Sequence, residues 1–270
     1  FDEKYLFQTD LNTTTAVNTL NRSLSKKTLE AIRFLNGIQK PKEETNQAAF
    51  IKSYTKRYES REMPLTTVLD TETGIGYLQN QEMNDTHDLL EQFSFATKIL
   101  DEKNQNWTEF DFILERKLQE FLSKNENILT LSEKDFPEFD DNWNNAPATF
   151  SVMIECLKKN DREIIAIASS GNISATKLFG RFCNGNKAIH ELTAAIIQKE
   201  TAYHSDKILA EIVHIPESRT GNILRRPVLR DFEIPYLSNS GVASEYQIGL
   251  DDLMISIKNN TIILRSKKHN

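Results

Sequence analysis

The feature that most constrains the fold is a change of apolar period along the chain. Up to about residue 131 the hydrophobic residues recur every three or four positions, and after residue 148 they come in short β-branched runs. A period near 3.6 buries one stripe of a helix, whereas a run such as IIAIA (164–168) suits a strand. No single regular element satisfies both patterns. They predict an α+β fold, a helical first half followed by mixed strands and helices with a C-terminal β-hairpin.

Between Thr13 and Gly37, the residues Val17, Leu20, Leu24, Leu29, Ile32 and Leu35 form an amphipathic stripe, predicting one helix or two, with Gly37 as a stop. TNQAAFIKSYTKRYES (45–60) sets Phe50, Tyr54 and Tyr58 four residues apart, and Pro64, Gly74 and Gly76 then break the pattern, so that helix ends near Arg61. Phe110, Leu114, Leu118 and Leu122 mark a third helix over 107–125. The acidic stretch SEKDFPEFDDNWNNAPA (132–148) reads as a loop between a mainly helical subdomain, 1–131, and an α+β subdomain, 149–270. TFSVMIECL (149–157) and REIIAIASS (162–170) flank a KKND turn and predict a hairpin, followed by helical patterns at 174–182 and 187–203 and an apolar strand in AEIVHIP (210–216). In LMISIKNNTIILRS, Asn259 and Asn260 tolerate positive φ between two β-branched runs, the signature of a two-residue hairpin turn.

Several chemistries are disfavoured. No apolar run approaches the roughly 20 residues of a membrane helix. GIG (74–76) lacks the later Gly and Lys of a phosphate loop, and no histidine stands three or four residues from a second His or Cys, so neither nucleotide hydrolysis nor a metal site is expected. SSGNISA (169–175) follows a strand but is not G-x-S-x-G, and Ser174 or Asn172 reads as a helix cap rather than a nucleophile. The two cysteines, Cys156 and Cys183, suggest a reduced, cytoplasmic protein. FDEKYLFQTDLN carries neither an initiator Met nor a signal-peptide layout, so the chain is expected to be a fragment of a longer polypeptide.

One segment runs against the net charge of −6. HIPESRTGNILRRPVLRDFEIPY (214–236) gathers Arg219, Arg225, Arg226 and Arg230, four of the twelve arginines. Arginine stays charged at any working pH and offers a rigid fork of donors to phosphate or carboxylate oxygens. Pro216, Gly221, Pro227 and Pro235 argue for an extended or looped course, in which Arg226 and Arg230 share a face. The segment is either an anion grip or a solvated loop paired with Glu217, Asp231 and Glu233. A second charged group, Arg57, Arg61, Glu62 and Asp70, surrounds the break at Pro64, where a carboxylate near arginines is usually an ordinary ion pair.

REMPLTTVLDTETGIGY (Arg61–Tyr77), RTGNILRRPVLRDFEIPY (Arg219–Tyr236) and SGVASEYQIGLDDLMISI (Ser240–Ile257), with IILRSK after them, resemble the large N-terminal region of class I lantibiotic dehydratases. The resemblance implies an internal part of an enzyme that transfers glutamate from glutamyl-tRNA to Ser or Thr of a ribosomal precursor peptide, before elimination to a dehydroamino acid. It implies no cofactor beyond glutamyl-tRNA as co-substrate, Asp70 and Arg219 as catalytic residues, and Arg225, Arg226, Arg230 and Arg61 as substrate or tRNA contacts. The elimination domain, in the same or a separate chain, and a lantibiotic cyclase are the partners it suggests. Family elements for early tRNA contacts and leader-peptide capture have no counterpart in the sequence, so the isolated piece is expected to be inactive. The alternative is a non-catalytic peptide- or tRNA-binding scaffold of the same architecture.

Overall fold

A computed structural model describes residues 9–13, 16–17, 19–39, 45–77, 107–124, 127–141, 143–144, 146–159, 162–171, 173–214 and 226–269. The helices are α1 (Arg22–Ile38), α2 (Asn46–Tyr58), α3 (Leu65–Leu69), α4 (Glu109–Lys124), α5 (Thr176–Phe179) and α6 (Lys187–Tyr203). The strands are β1 (Met63–Pro64), β2 (Val152–Lys159), β3 (Arg162–Ser170), β4 (Ala210–His214), β5 (Phe232–Tyr236), β6 (Leu253–Lys258) and β7 (Thr261–Ser266). The α+β character expected from the change of period is what the chain adopts. Among the described residues no helix is long and apolar enough to cross a membrane.

The first helix starts later than its apolar stripe suggests. Asn21, extended at φ −63° and ψ 132°, accepts the Ser23 N–H at 3.0 Å and opens α1 one residue on, leaving Val17 and Leu20 outside it at 75% and 72% exposure. The cause is local: the Asn21 side chain takes a donor of the first turn while its own backbone is extended, which fixes the start of the helix there. Gly37 is not the stop either. It lies buried within the last turn, where an added Cβ would fall 2.3 Å from the Phe139 ring, so its missing side chain admits that ring to the helix. Phe34 meets both Phe136 and Phe139, and Arg33 reaches Glu133 and Asp141 at 2.6 Å each. The stretch 132–141 is thus strapped onto α1.

Helix α2 follows the sequence pattern closely. Thr45 caps it by accepting the Ala48 N–H at 3.0 Å, and Phe50, Tyr54 and Tyr58 are buried on one stripe. With Val68 and Ile255 they form a core cluster against the antiparallel sheet β1–β6–β7. Burying each such side chain contributes roughly 1.5–3 kcal/mol. The Tyr54 hydroxyl lies 2.8 Å from the Arg61 carbonyl and 2.7 Å from that of Ile255, which ties the start of the Arg61–Tyr77 block to β6. That cluster joins residues from both sides of the 132–148 stretch.

The hairpin β6–β7 turns at Asn259 and Asn260, both at positive φ (48° and 59°), as their residue type predicts. Strands β2 and β3 form the expected antiparallel pair, with a register shift at Met153/Ile154. Strand β4 pairs in parallel with β5, Glu211 opposite Glu233. Two carboxylates on one face of a sheet repel unless each is compensated. Their compensation builds the site described next.

Candidate functional site

The Asp70 block and the arginine segment use charge in opposite ways. Asp70 follows the short helix α3, and its Oδ1 accepts the backbone N–H groups of Glu72 (2.9 Å) and Thr73 (2.6 Å) and the Thr73 hydroxyl (2.9 Å). These bonds, the Thr73 N–H first, hold the exposed carboxyl below the ordinary aspartate value and favour its ionised form. From α2, Arg57 donates to the carbonyls of Thr73 and Gly74 at 2.6 Å each and fixes the far end of the same turn. An added Cβ on Gly74 would stand 2.3 Å from the Thr67 carbonyl oxygen, so only glycine lets the turn close onto α3. Arg61 folds back onto the end of α2, with Nε at 3.1 Å from the Tyr58 carbonyl. Glu62 pairs with Arg265 of β7 through two bonds, 2.8 and 2.5 Å.

The second constellation is built on a buried carboxylate. Glu200, on α6, is 3% exposed and lies seven residues, or two turns, after the fully buried Thr193. Its Oε1 accepts from the hydroxyls of Thr149 and Ser174, the latter at 2.6 Å, and its Oε2 takes Arg230 Nη2 at 2.5 Å. Burial pushes the carboxyl's pKa up, but the hydroxyls and the guanidinium together hold it below the ordinary glutamate value. Arg230 Nε is also 3.9 Å from Glu211, whose Oε1 is bonded to Arg226 Nη2. Two arginines and two glutamates therefore close a charge-balanced network between α6, β4 and the approach to β5. Arg230 Nη1 is buried there without a hydrogen-bond partner among the described residues.

The other carboxylate of the β4–β5 pair is satisfied differently. Glu233 is buried, and its Oε2 accepts the Ser240 hydroxyl at 2.6 Å and the Gly241 N–H at 2.7 Å, which ties the turn after β5 back to the strand.

The structure thus brings Arg226 and Arg230 together, on Glu211, as the shared-face argument suggests, and places Asp70 and Arg61 in a separate block. Arg219 and Arg225 lie outside the described residues, as do Glu217 and Asn172. Among the described residues the partners of Arg226 and Arg230 are Glu211 and Glu200, not the Asp231 or Glu233 that lie close in sequence. Ser174 serves Glu200, and its Oγ is 3.3 Å from the Thr176 N–H at the start of α5. Thr149, Glu200 and Glu211 escape the sequence reading. A glutamate in register with the buried stripe of α6 is the one signal that marks Glu200.

Cys156 and Cys183 are both free, and no group of metal-ligating side chains occurs among the described residues. A groove of about 410 Å³ between α1 and β2 has an apolar wall that includes Leu24, Ile32, Phe150 and Ile154, and its lining holds Arg22 but no carboxylate or histidine.

Comparison with known proteins places these features. The family model described as "Lantibiotic dehydratase, N terminus" matches residues 1–270. The subtilin biosynthesis protein SpaB of Bacillus subtilis is 24% identical over 211 residues, covering 77% of this chain and 20% of SpaB. The tRNA dependent lantibiotic dehydratase MibB from Microbispora sp. 107891 superposes over 92% of this chain with a TM-score of 0.67 at 16% identity, a likeness of fold. The chain spans 24% of the MibB chain, so both relatives are four to five times as long as the part they share with it.

Proposed function

Because the chain belongs to the lantibiotic dehydratase N-terminal family, we propose that it is part of an enzyme that transfers glutamate from glutamyl-tRNA to Ser or Thr hydroxyls of a ribosomal precursor peptide. Elimination of glutamate to leave a dehydroamino acid follows, in another part of the same protein or in a partner chain. The observation that carries this reading is the family match along the entire chain. The likeness to a tRNA-dependent dehydratase supports it.

In that reaction the ester between glutamate and the tRNA breaks, an ester to the peptide hydroxyl forms, and the hydroxyl proton passes to a base. Asp70 contributes an ionised carboxylate on a rigid turn, with Oδ1 committed to the turn and Oδ2 outside those three bonds. A carboxylate held below its ordinary pKa is a weak proton acceptor, so its part is to orient a hydroxyl or ammonium group. Arg219 is the cation proposed to take the glutamyl or tRNA oxyanion, with Arg225 and Arg226 as further contacts. Arg61 and Arg230 are less suited to direct contact, because their forks are turned to a helix end and to Glu200.

A second reading is favoured by the same geometry. Asp70 satisfied by its own turn, and Arg226 and Arg230 balanced by glutamates, are also what a non-catalytic peptide- or tRNA-binding scaffold presents. Asp70→Ala and Arg219→Ala in the full-length protein separate the two. The catalytic reading expects glutamyl transfer to collapse while tRNA binding persists in Asp70→Ala; unchanged transfer by both folded variants leaves the scaffold. Filter binding of glutamyl-tRNA over a salt series tests the anion grip, since phosphate contacts weaken as salt rises.

A further inference from the structure

Of the buried carboxylates Glu200, Glu233 and Asp252, to which the acyl-transfer reading gives no task, Glu200 is the one bonded to the arginine segment. Glu200 touches neither Asp70 nor an open surface, yet it collects two hydroxyls and a guanidinium from three separate segments. Its effect on the arginine segment follows from how few carboxylates the network contains. Arg230 has its close counterion in Glu200, at 2.5 Å, and stands at 3.9 Å from Glu211. Glu211 is therefore left to Arg226. Without the charge of Glu200, Arg230 has Glu211 as the remaining acid of the network and competes for it, and Arg226 loses the bond that sets its direction.

Arg226 is held from a second side. Its stem runs over Gly180, where an added Cβ would lie 3.3 Å from Arg226 Cδ. Its side chain is 25% exposed and Nη2 is bonded to Glu211, an arrangement that leaves further guanidinium N–H groups for a second anion. We infer that Glu200 is a positioning residue that acts through Arg230 and Glu211 to hold Arg226 toward a phosphate of the bound tRNA. The inference rests on the tRNA-dependent reading above and adds the residue that aims one of its contacts.

The test uses the full-length protein, with filter binding of glutamyl-tRNA over a salt series and thermal melts for wild type, Glu200→Gln, Arg226→Gln and the double variant. Removing a carboxylate beside arginines raises the positive potential, so through-space electrostatics alone predicts tighter tRNA binding by Glu200→Gln. Positioning predicts the opposite sign: affinity falls roughly tenfold, the slope of log K against log salt shrinks by about one, and the double variant binds no worse than Arg226→Gln. A folded Glu200→Gln that binds tRNA as well as wild type or better, with only its melting point lowered, overturns the inference and leaves Glu200 as a brace. If Glu200→Gln does not fold, Ser174→Ala removes one donor to Glu200 and keeps both ion pairs. A smaller loss of affinity there supports positioning, and no loss overturns it. Absence of salt-sensitive tRNA binding by the wild type defeats the tRNA reading itself, and the inference falls with it.

Discussion

Asp70 and Glu200 are both carboxylates held below their ordinary pKa, by opposite means. Asp70 is exposed and satisfied within three residues of itself, by the backbone of its own turn. Glu200 is buried and satisfied by Thr149, Ser174 and Arg230, which lie 51, 26 and 30 residues away. The first kind of charge survives almost any change in the rest of the fold and remains open to a ligand. The second exists only if several segments arrive together, and its removal takes the near counterion from Arg230.

The largest effect that tests this contrast is Glu200→Ala. It leaves the partly buried Arg230 without its near counterion and is expected to cost about 3 kcal/mol in urea unfolding, the low end of what broken buried pairs cost. A loss near zero would put Glu200 in the same class as Asp70. Next comes Tyr54→Phe, which strips the hydroxyl shared by the Arg61 and Ile255 carbonyls and is expected to cost about 1–2 kcal/mol in the same measurement. It asks whether the Asp70 block depends on its anchor to β6.

A pH series probes the same network more gently. The Glu200 pKa is lower in the fold than its unfolded value of 4.5, so its contribution to stability is complete above that pH and is lost as pH falls through the folded value. The stability gap between wild type and Glu200→Gln, read from denaturant midpoints, should therefore narrow below 4.5. A gap that is constant with pH would mean that the charge is not what Arg230 needs. The smallest change in stability is expected for Asp70→Asn, whose amide oxygen still accepts from the turn; its unfolding midpoint should match wild type while glutamyl transfer by the full-length protein falls at least about tenfold, the size of a lost transition-state contact. Loss of fold in Asp70→Asn would reverse the comparison.

Much of the fold was legible because its signals are local. The tyrosine stripe of α2, the period of α4 and α6, and the Asn259–Asn260 turn each state their structure within a few residues. The start of α1 was missed because a stripe of apolar residues marks a face and not an end; the cap at Asn21 decides where the helix begins. Gly37 was misread for a similar reason, since a glycine that stops a helix and one that admits a distant ring look alike until Phe139 is placed.

The site divides along the same line. By itself the sequence determined helices α2, α4 and α6, the two hairpins, the family resemblance of the three motif blocks and the local excess of arginine between residues 219 and 230. The ion pair expected of Asp70 among its arginines gave way to a turn whose donors are its immediate neighbours, Glu72 and Thr73. Only the tertiary structure decided what Arg226 and Arg230 face, because an arginine takes the carboxylate that packing delivers. Here that carboxylate comes from a helix and a strand 15 to 30 residues earlier in the chain. Hydrogen bonds within a turn are set by the backbone that follows, whereas a buried ion pair is set by which elements share a core.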